Sequence, residues 1–340
     1  MYKGLILSLS WLLTFSVSAN SSSFTPALFK ENTNKKYPTS STYSRMEQWF
    51  KLSYIIGANG TPKDIVIIAS NDNRESIKND TIKYLKNISY QPATINGQAI
   101  DSAHVLLFRR DISFTSNPND NVSSSFYKRY NKINDLIIKD QLTKVPELLI
   151  ELREKNAKNM REQALLAWVS AFYYFKNKDQ VNYAKQIEQA YLLRENMATK
   201  IAYKATMSWF EQSLRNKDYY EAIKVLRSLS NIKGLKLEKS SYEQSFNTVI
   251  ELAKQQEQQT YKKSISEFGN LYHQLSRSNL NIEMQAVKSV ELRCLNGIEQ
   301  IPVSNQITYQ LPDQYRSCAL LFLGSPNTKI KITESGALNL

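Results

Sequence analysis

The sequence predicts an α+β unit, then an all-α helical array, then a small β unit, and three observations carry that expectation. Apolar residues alternate from Trp49, the period of two that turns one face of a strand toward a core, and a β-branched run follows from Ile65. Ile77, Thr81, Tyr84, Leu85 and Ile88 then fall on one stripe of a 3.6-residue period, an amphipathic helix. From Phe126 to about Arg277 the spacing stays helical with little Gly or Pro, and short β-like runs return after it.

The elements follow in order. Lys3, an apolar run from Leu5 to Val17 and the closing Val17-Ser18-Ala19 have the layout of a secretory signal peptide, expected at 1–19. The apolar run is shorter than the ~20 residues of a spanning helix, so a cleaved signal is preferred to an inner-membrane anchor and the compartment expected is the periplasm. The polar, Ser/Thr/Asn-rich stretch 20–36 reads as a linker. From Trp49, Phe50, Leu52, Tyr54 and Ile56 share one strand face while Lys51 and Ser53 share the other. Asn59-Gly60 and Pro62 supply a turn, and the β-branched run from Ile65 completes a hairpin. Asn71, Asp72 or Asn73 is placed to cap the helix that follows. The phrase YQPATINGQAI, from Tyr90, holds a helix-stopping Pro92 and an Asn96-Gly97 bend that deliver the chain to a third strand from Ala103.

A second linker is expected at 113–125, and helices over 126–280. Lys-Asp recurs there at Lys139-Asp140, Lys178-Asp179 and Lys217-Asp218, each closing one helical run and opening another. A fixed-period helix–turn–helix unit is the mark of stacked repeats. Tyr219-Tyr220-Glu221-Ala222-Ile223 resembles the second helix of a tetratricopeptide (TPR) repeat, although the period exceeds that family's 34 residues; the expectation is a TPR-like array. Trp168, Phe172 and Phe175, with Trp209 and Phe210, read as core rather than a ligand box. Short strand-like runs separated by Gly and Pro fill 286–335. Cys294 and Cys318 are the chain's two cysteines, and in an oxidising compartment they read as a disulfide.

Lys and Arg number 44 against 31 Asp and Glu, a net charge of +13. The excess is spread along the chain, so it reads as a soluble basic surface. Nucleic acid is not an expected partner, and peripheral contact with an anionic membrane surface is left open. The two histidines, His104 on the third strand and His273 in the stretch read as helical, have no carboxylate motif around them. HExxH, P-loop, GxGxxG and GxSxG motifs are absent, and Ser125 with Lys128 matches SxxK without its SDN or KTG companions. No enzyme, cofactor or metal site is expected.

Tyr37-Pro38, the hairpin YIIGANGTPKDIVIIAS, the helix NRESIKNDTIKYLKNI, then SYQPATINGQAI and AHVLLFRRDI together resemble the periplasmic C-terminal domain of TonB, the energy transducer of Gram-negative outer-membrane uptake. The resemblance spans 37–112 and implies a three-stranded antiparallel sheet backed by a helix. It implies as well that the last strand, Ala103, His104, Val105, Leu106, Leu107, Phe108, Arg109 and Arg110, is an open edge. A peptide from an outer-membrane receptor or another envelope protein would add to that edge by β-augmentation, with Tyr37 and Pro38 touching the receptor. TonB's uncleaved membrane helix and long Pro-rich spacer have no counterpart, so an adaptor or offshoot role is expected. The alternative is an envelope scaffold in which the helical array binds partners and the TonB-like domain is structural.

Overall fold

The computed structural model describes residues 23–30, 46–110 and 122–339; the expected signal peptide, Tyr37 and Pro38 lie outside them. Two short strands, β1 (Phe24–Thr25) and β2 (Leu28–Phe29), lie inside the expected 20–36 linker. They are followed by β3 (Gln48–Ile56), β4 (Pro62–Ser70) and helix α1 (Glu75–Lys86). The phrase after the helix, read as a joint, is itself strand: β5 (Tyr90–Gln91), β6 (Ala93–Ile95) and β7 (Gln98–Ile100) lead into β8 (Ser102–Arg110). Asn96 and Gly97 have φ of 51° and 81°, the double left-handed turn of a two-residue hairpin.

β3 is the middle strand of an antiparallel β4–β3–β8 sheet. Phe50, Leu52, Tyr54 and Ile56 pack with Ile77 and Leu85 of α1, as the alternation requires. The opposite face is not left to solvent: Trp49 is part of the main helical core, and Ala69 and Leu107 pack against it. None of the three expected caps closes the start of α1. Asn71 instead accepts from the Trp49 amide at 2.8 Å, and the first residue before the helix is Arg74, whose amide and guanidinium are held by Asp72.

The helices after it are α2 (Ser124–Ile138), α3 (Val145–Glu151), α4 (Met160–Lys176), α5 (Gln180–Leu192), α6 (Thr199–Arg215), α7 (Tyr219–Arg227) and α8 (Lys239–Gln255). Asn159 and Glu162 form a capping box on α4, a helix buried on most sides. At two of the three Lys-Asp positions the turn is the same: Lys178 and Lys217 take left-handed φ of 58° and 55°. Asp179 and Asp218 then cap α5 and α7 by accepting from the amides of Asn182 and Glu221. The first copy departs, for Asp140 itself is left-handed and a short 3-10 turn follows. Phe210 is buried and Trp168, Phe172 and Trp209 are packed against core, but Phe175 is 47% exposed.

Helix ends at Gln255, earlier than the sequence pattern suggests. β9 (Gln258–Ser264), β10 (Asn270–Gln274), β11 (Arg277–Met284), β12 (Val287–Cys294), β13 (Gly297–Ile301), β14 (Gln306–Gln310), β15 (Ala319–Gly324) and β16 (Lys329–Leu338) form two four-stranded sheets, β10–β15–β12–β13 and β14–β11–β16–β9. Their inner faces share one core through Leu280, Ile282, Leu292, Phe322 and Ile332, a β-sandwich. His273, expected on a helix, is therefore on strand β10. Leu280, Ile282 and Met284 do alternate, a period-two signal hidden among polar neighbours. Cys294 and Cys318 are disulfide-bonded and fully buried.

Candidate functional site

β8 pairs with β3 along its whole length, with Val105 opposite Ser53, Leu107 opposite Lys51 and Arg109 opposite Trp49. Among the described residues no further strand pairs with β8 at positions 103–107. The strand is held at each end instead. At its start Ser102 Oγ donates to the Leu295 carbonyl at 2.6 Å, which anchors it to the β12–β13 turn. Toward its end Arg109 bonds Glu195 Oε2 at 2.9 Å and Asn196 Oδ1 at 3.4 Å, both in the α5–α6 connection. Between those anchors a shallow groove of about 370 Å³ is lined by Leu106, Leu107, Phe108, Arg109 and Glu195. Val105 is 44% exposed.

The expected edge residues thus divide by face. Leu106 and Phe108 pack into the core shared with α1, Leu107 turns toward the helical core, and Ala103 is buried. Arg110 stands opposite Gln48. His104 stacks on Tyr54 with ring centroids 6.0 Å apart and bonds Ser102 Oγ through Nε2 at 3.2 Å. Burial holds its pKa below the ordinary histidine value, and the half-buried ring packs on the aromatic side chains of the sheet.

The sheet's other edge is closed, and the residue that closes it gave no signal in the sequence. Arg293 on β12 is 2% exposed. Its Nη1 donates to Ser53 Oγ at 2.8 Å and its Nη2 to the Asp64 carbonyl at 3.0 Å, while Nε pairs with Glu291. Asn270 Nδ2 donates to the Ile67 carbonyl at 2.8 Å. Two side chains of the sandwich thereby take carbonyls along β4 that another strand would need.

His273 sits in a second buried polar cluster. Its Nε2 meets Glu334 Oε1 at 2.6 Å and its Nδ1 meets Lys263 Nζ at 2.9 Å. Glu334 also accepts from the Ser276 and Arg277 amides at 2.8 and 3.0 Å. Burial and the Lys263 charge push the His273 pKa down to about 4, while the histidine and Ser276 bonds keep Glu334 ionised against its own burial. A neutral imidazole donating from Nε2 and accepting at Nδ1 satisfies every partner. Both side chains are sealed from solvent, so the cluster ties β10 to β16 and offers nothing to a substrate. Ser125 and Lys128 lie on the exposed side of the first turns of α2, with Ser125 accepting from Asn156 Nδ2 at 3.2 Å.

A three-stranded antiparallel sheet packed on one helix is the arrangement that the sequence resemblance implies. Residues 33–109 match the family model for the Gram-negative bacterial TonB protein C-terminal domain. The matched segment covers less than a quarter of the chain, and the chain matches no curated protein and no solved structure. That family is one of non-enzymatic energy transducers of the Gram-negative envelope that act through protein contacts. Among the described residues no helix is long and apolar enough to cross a membrane.

Proposed function

We propose that the chain is a non-enzymatic periplasmic protein that binds envelope partners by β-augmentation on residues 103–110, in TonB-dependent outer-membrane transport or a role derived from it. The observation that carries this reading is the contrast between the two edges of one sheet. β4 has carbonyls covered by Arg293 and Asn270, whereas β8 is anchored at Ser102 and Arg109 and leaves positions 103–107 without a paired strand among the described residues. Unpaired strand backbone gives affinity for an extended peptide with little demand on its side chains. In this reading a signal peptide at 1–19 exports the chain, and Tyr37 and Pro38 add contacts with the receptor.

A second reading has an observation of its own. The helical region, read as a TPR-like array, presents Val181 at 81% and Phe175 at 47% exposure, apolar side chains suited to a protein partner. In that case the TonB C-terminal domain is a brace and the helices do the binding.

Site-specific photo-crosslinking in envelope extract separates the two. A benzoylphenylalanine at Val105 should capture an extended segment of an outer-membrane protein, and one at Val181 should not. Crosslinks that form from Val181 and not from Val105 would sink the augmentation reading.

A further inference from the structure

The segment after α1 carries a strand on a side that the β8 edge does not touch. Residues 23–30 run antiparallel to residues 89–96 in one register: Phe24 opposite Ile95, Thr25 opposite Thr94, Leu28 opposite Gln91 and Phe29 opposite Tyr90. Backbone bonds close both ends, from the Asn96 amide to the Ser23 carbonyl at 3.0 Å and from the Lys30 amide to the Ser89 carbonyl at 3.1 Å. The Ser23 amide adds a bond to Asn96 Oδ1 at 3.0 Å. The same register sets Pro26 across from Ala93 and Ala27 across from Pro92. Both residues that lack an amide hydrogen therefore fall together at the centre, where the ladder is interrupted.

Backbone bonds hold this arm more than side chains do. Leu28 and Phe29 are 54% and 58% exposed, although the Phe29 ring meets the Tyr90 ring edge-on with centroids 5.7 Å apart. Ala27 is the arm residue that packs against the domain core. The strand beneath has its own supports: β6 pairs with β7, and the Tyr90 amide donates to the Gly60 carbonyl at 2.8 Å. The accepting edge is therefore built from residues outside the arm.

We propose that residues 89–96 form a second peptide-acceptor edge, filled in cis by residues 23–30 as an exchangeable occupant. Its ligand class is an extended segment with a Pro-Ala pair flanked by large apolar side chains. Proline costs nothing across from Ala93, where the ladder is already interrupted, and a small side chain is required across from Pro92, where Ala27 meets the core. The site is independent of the β8 edge and stands whether or not that edge binds a receptor.

The test uses the full chain, folded first, with a protease site inserted between Lys30 and Met46 and then cut. A fluorescein-labelled peptide of residues 22–31 is titrated against cut and uncut protein by anisotropy. A tethered arm has an effective concentration on the order of 1 mM. A peptide of Kd about 10 μM should therefore bind the uncut chain about a hundredfold more weakly than the cut chain. The same peptide with Ala27→Arg should not bind. The proposal is overturned if the cut chain keeps its arm and takes up no label over a day, or if the Ala27→Arg peptide binds equally. Crosslinks between arms and bodies of differently tagged uncut chains, without binding of free peptide, would make the edge an arm-exchange contact between copies and would also overturn it.

Discussion

Arg293 and Ser53 lie 240 residues apart in the chain and 2.8 Å apart in the fold, guanidinium to hydroxyl. With its second nitrogen on the Asp64 carbonyl, this one side chain fastens the sandwich to the face and edge of the TonB-like domain. Removing one partner of a buried charged network typically costs about 3 kcal/mol. Arg293→Met should lower the unfolding free energy by about that much in urea denaturation. Arg293→Lys should recover less than half, because an ammonium cannot span both acceptors and Glu291 with a fixed fork. An unchanged urea midpoint for Arg293→Met would show that the contact contributes nothing.

Two glycines in left-handed conformations should behave differently. A Cβ on Gly60, φ +79°, would stand 2.1 Å from the Tyr90 carbonyl oxygen, whereas a Cβ on Gly97, φ +81°, meets nothing within 4 Å. Gly97→Ala should cost only the left-handed penalty of about 1 kcal/mol. Gly60→Ala adds a backbone collision and should cost about 3 kcal/mol or more. Paired thermal melts give the comparison, and equal losses would contradict it.

The Cys294–Cys318 bond spans 24 residues of sequence. In the chain-entropy account a loop of this length contributes about 3 kcal/mol. A Cys294→Ala, Cys318→Ala double variant, or the reduced protein, should unfold at correspondingly lower urea. Because both sulfurs are buried in the sandwich core, mild reductant should act only after the chain opens. Rapid reduction of the native protein would argue against that burial.

Stability should fall in mild acid, with His273 as a main cause. Its folded pKa, about 4, lies below the ordinary value near 6.5, so the unfolded chain takes up the proton first. Its contribution is intact above about pH 6.5 and is lost as pH falls toward 4, a swing of about 3 kcal/mol. His273→Gln should flatten the urea midpoint between pH 6.5 and 4. A wild-type midpoint constant across that window would refute the assignment.

Much of the first domain was legible because its signals are local. Phe50, Leu52, Tyr54 and Ile56 turn inward as their alternation requires, and residues 33–109 match the family suggested by Tyr37-Pro38 and the motifs after it. The Lys178-Asp179 and Lys217-Asp218 turns were visible as a repeat. Their mechanism, a left-handed lysine before a capping aspartate, needed backbone angles. β9 to β11 were misread because their apolar residues are sparse: strand alternation at Leu280, Ile282 and Met284 is interleaved with Asn and Glu. The arm at 23–30 looked like linker because its pairing strand lies more than sixty residues away and its own side chains stay mostly in solvent.

By itself the sequence determined the first hairpin and its helix, the helices up to about residue 255, and a disulfide between the two cysteines, because alternation, helical spacing and cysteine count are legible without the fold. Only the tertiary structure decided which side chains and segments cover each strand edge. A strand's vacant backbone is filled by whatever the fold brings beside it. Here Arg293 and Asn270 were brought to β4, Glu195 to the end of β8, and the arm to Tyr90.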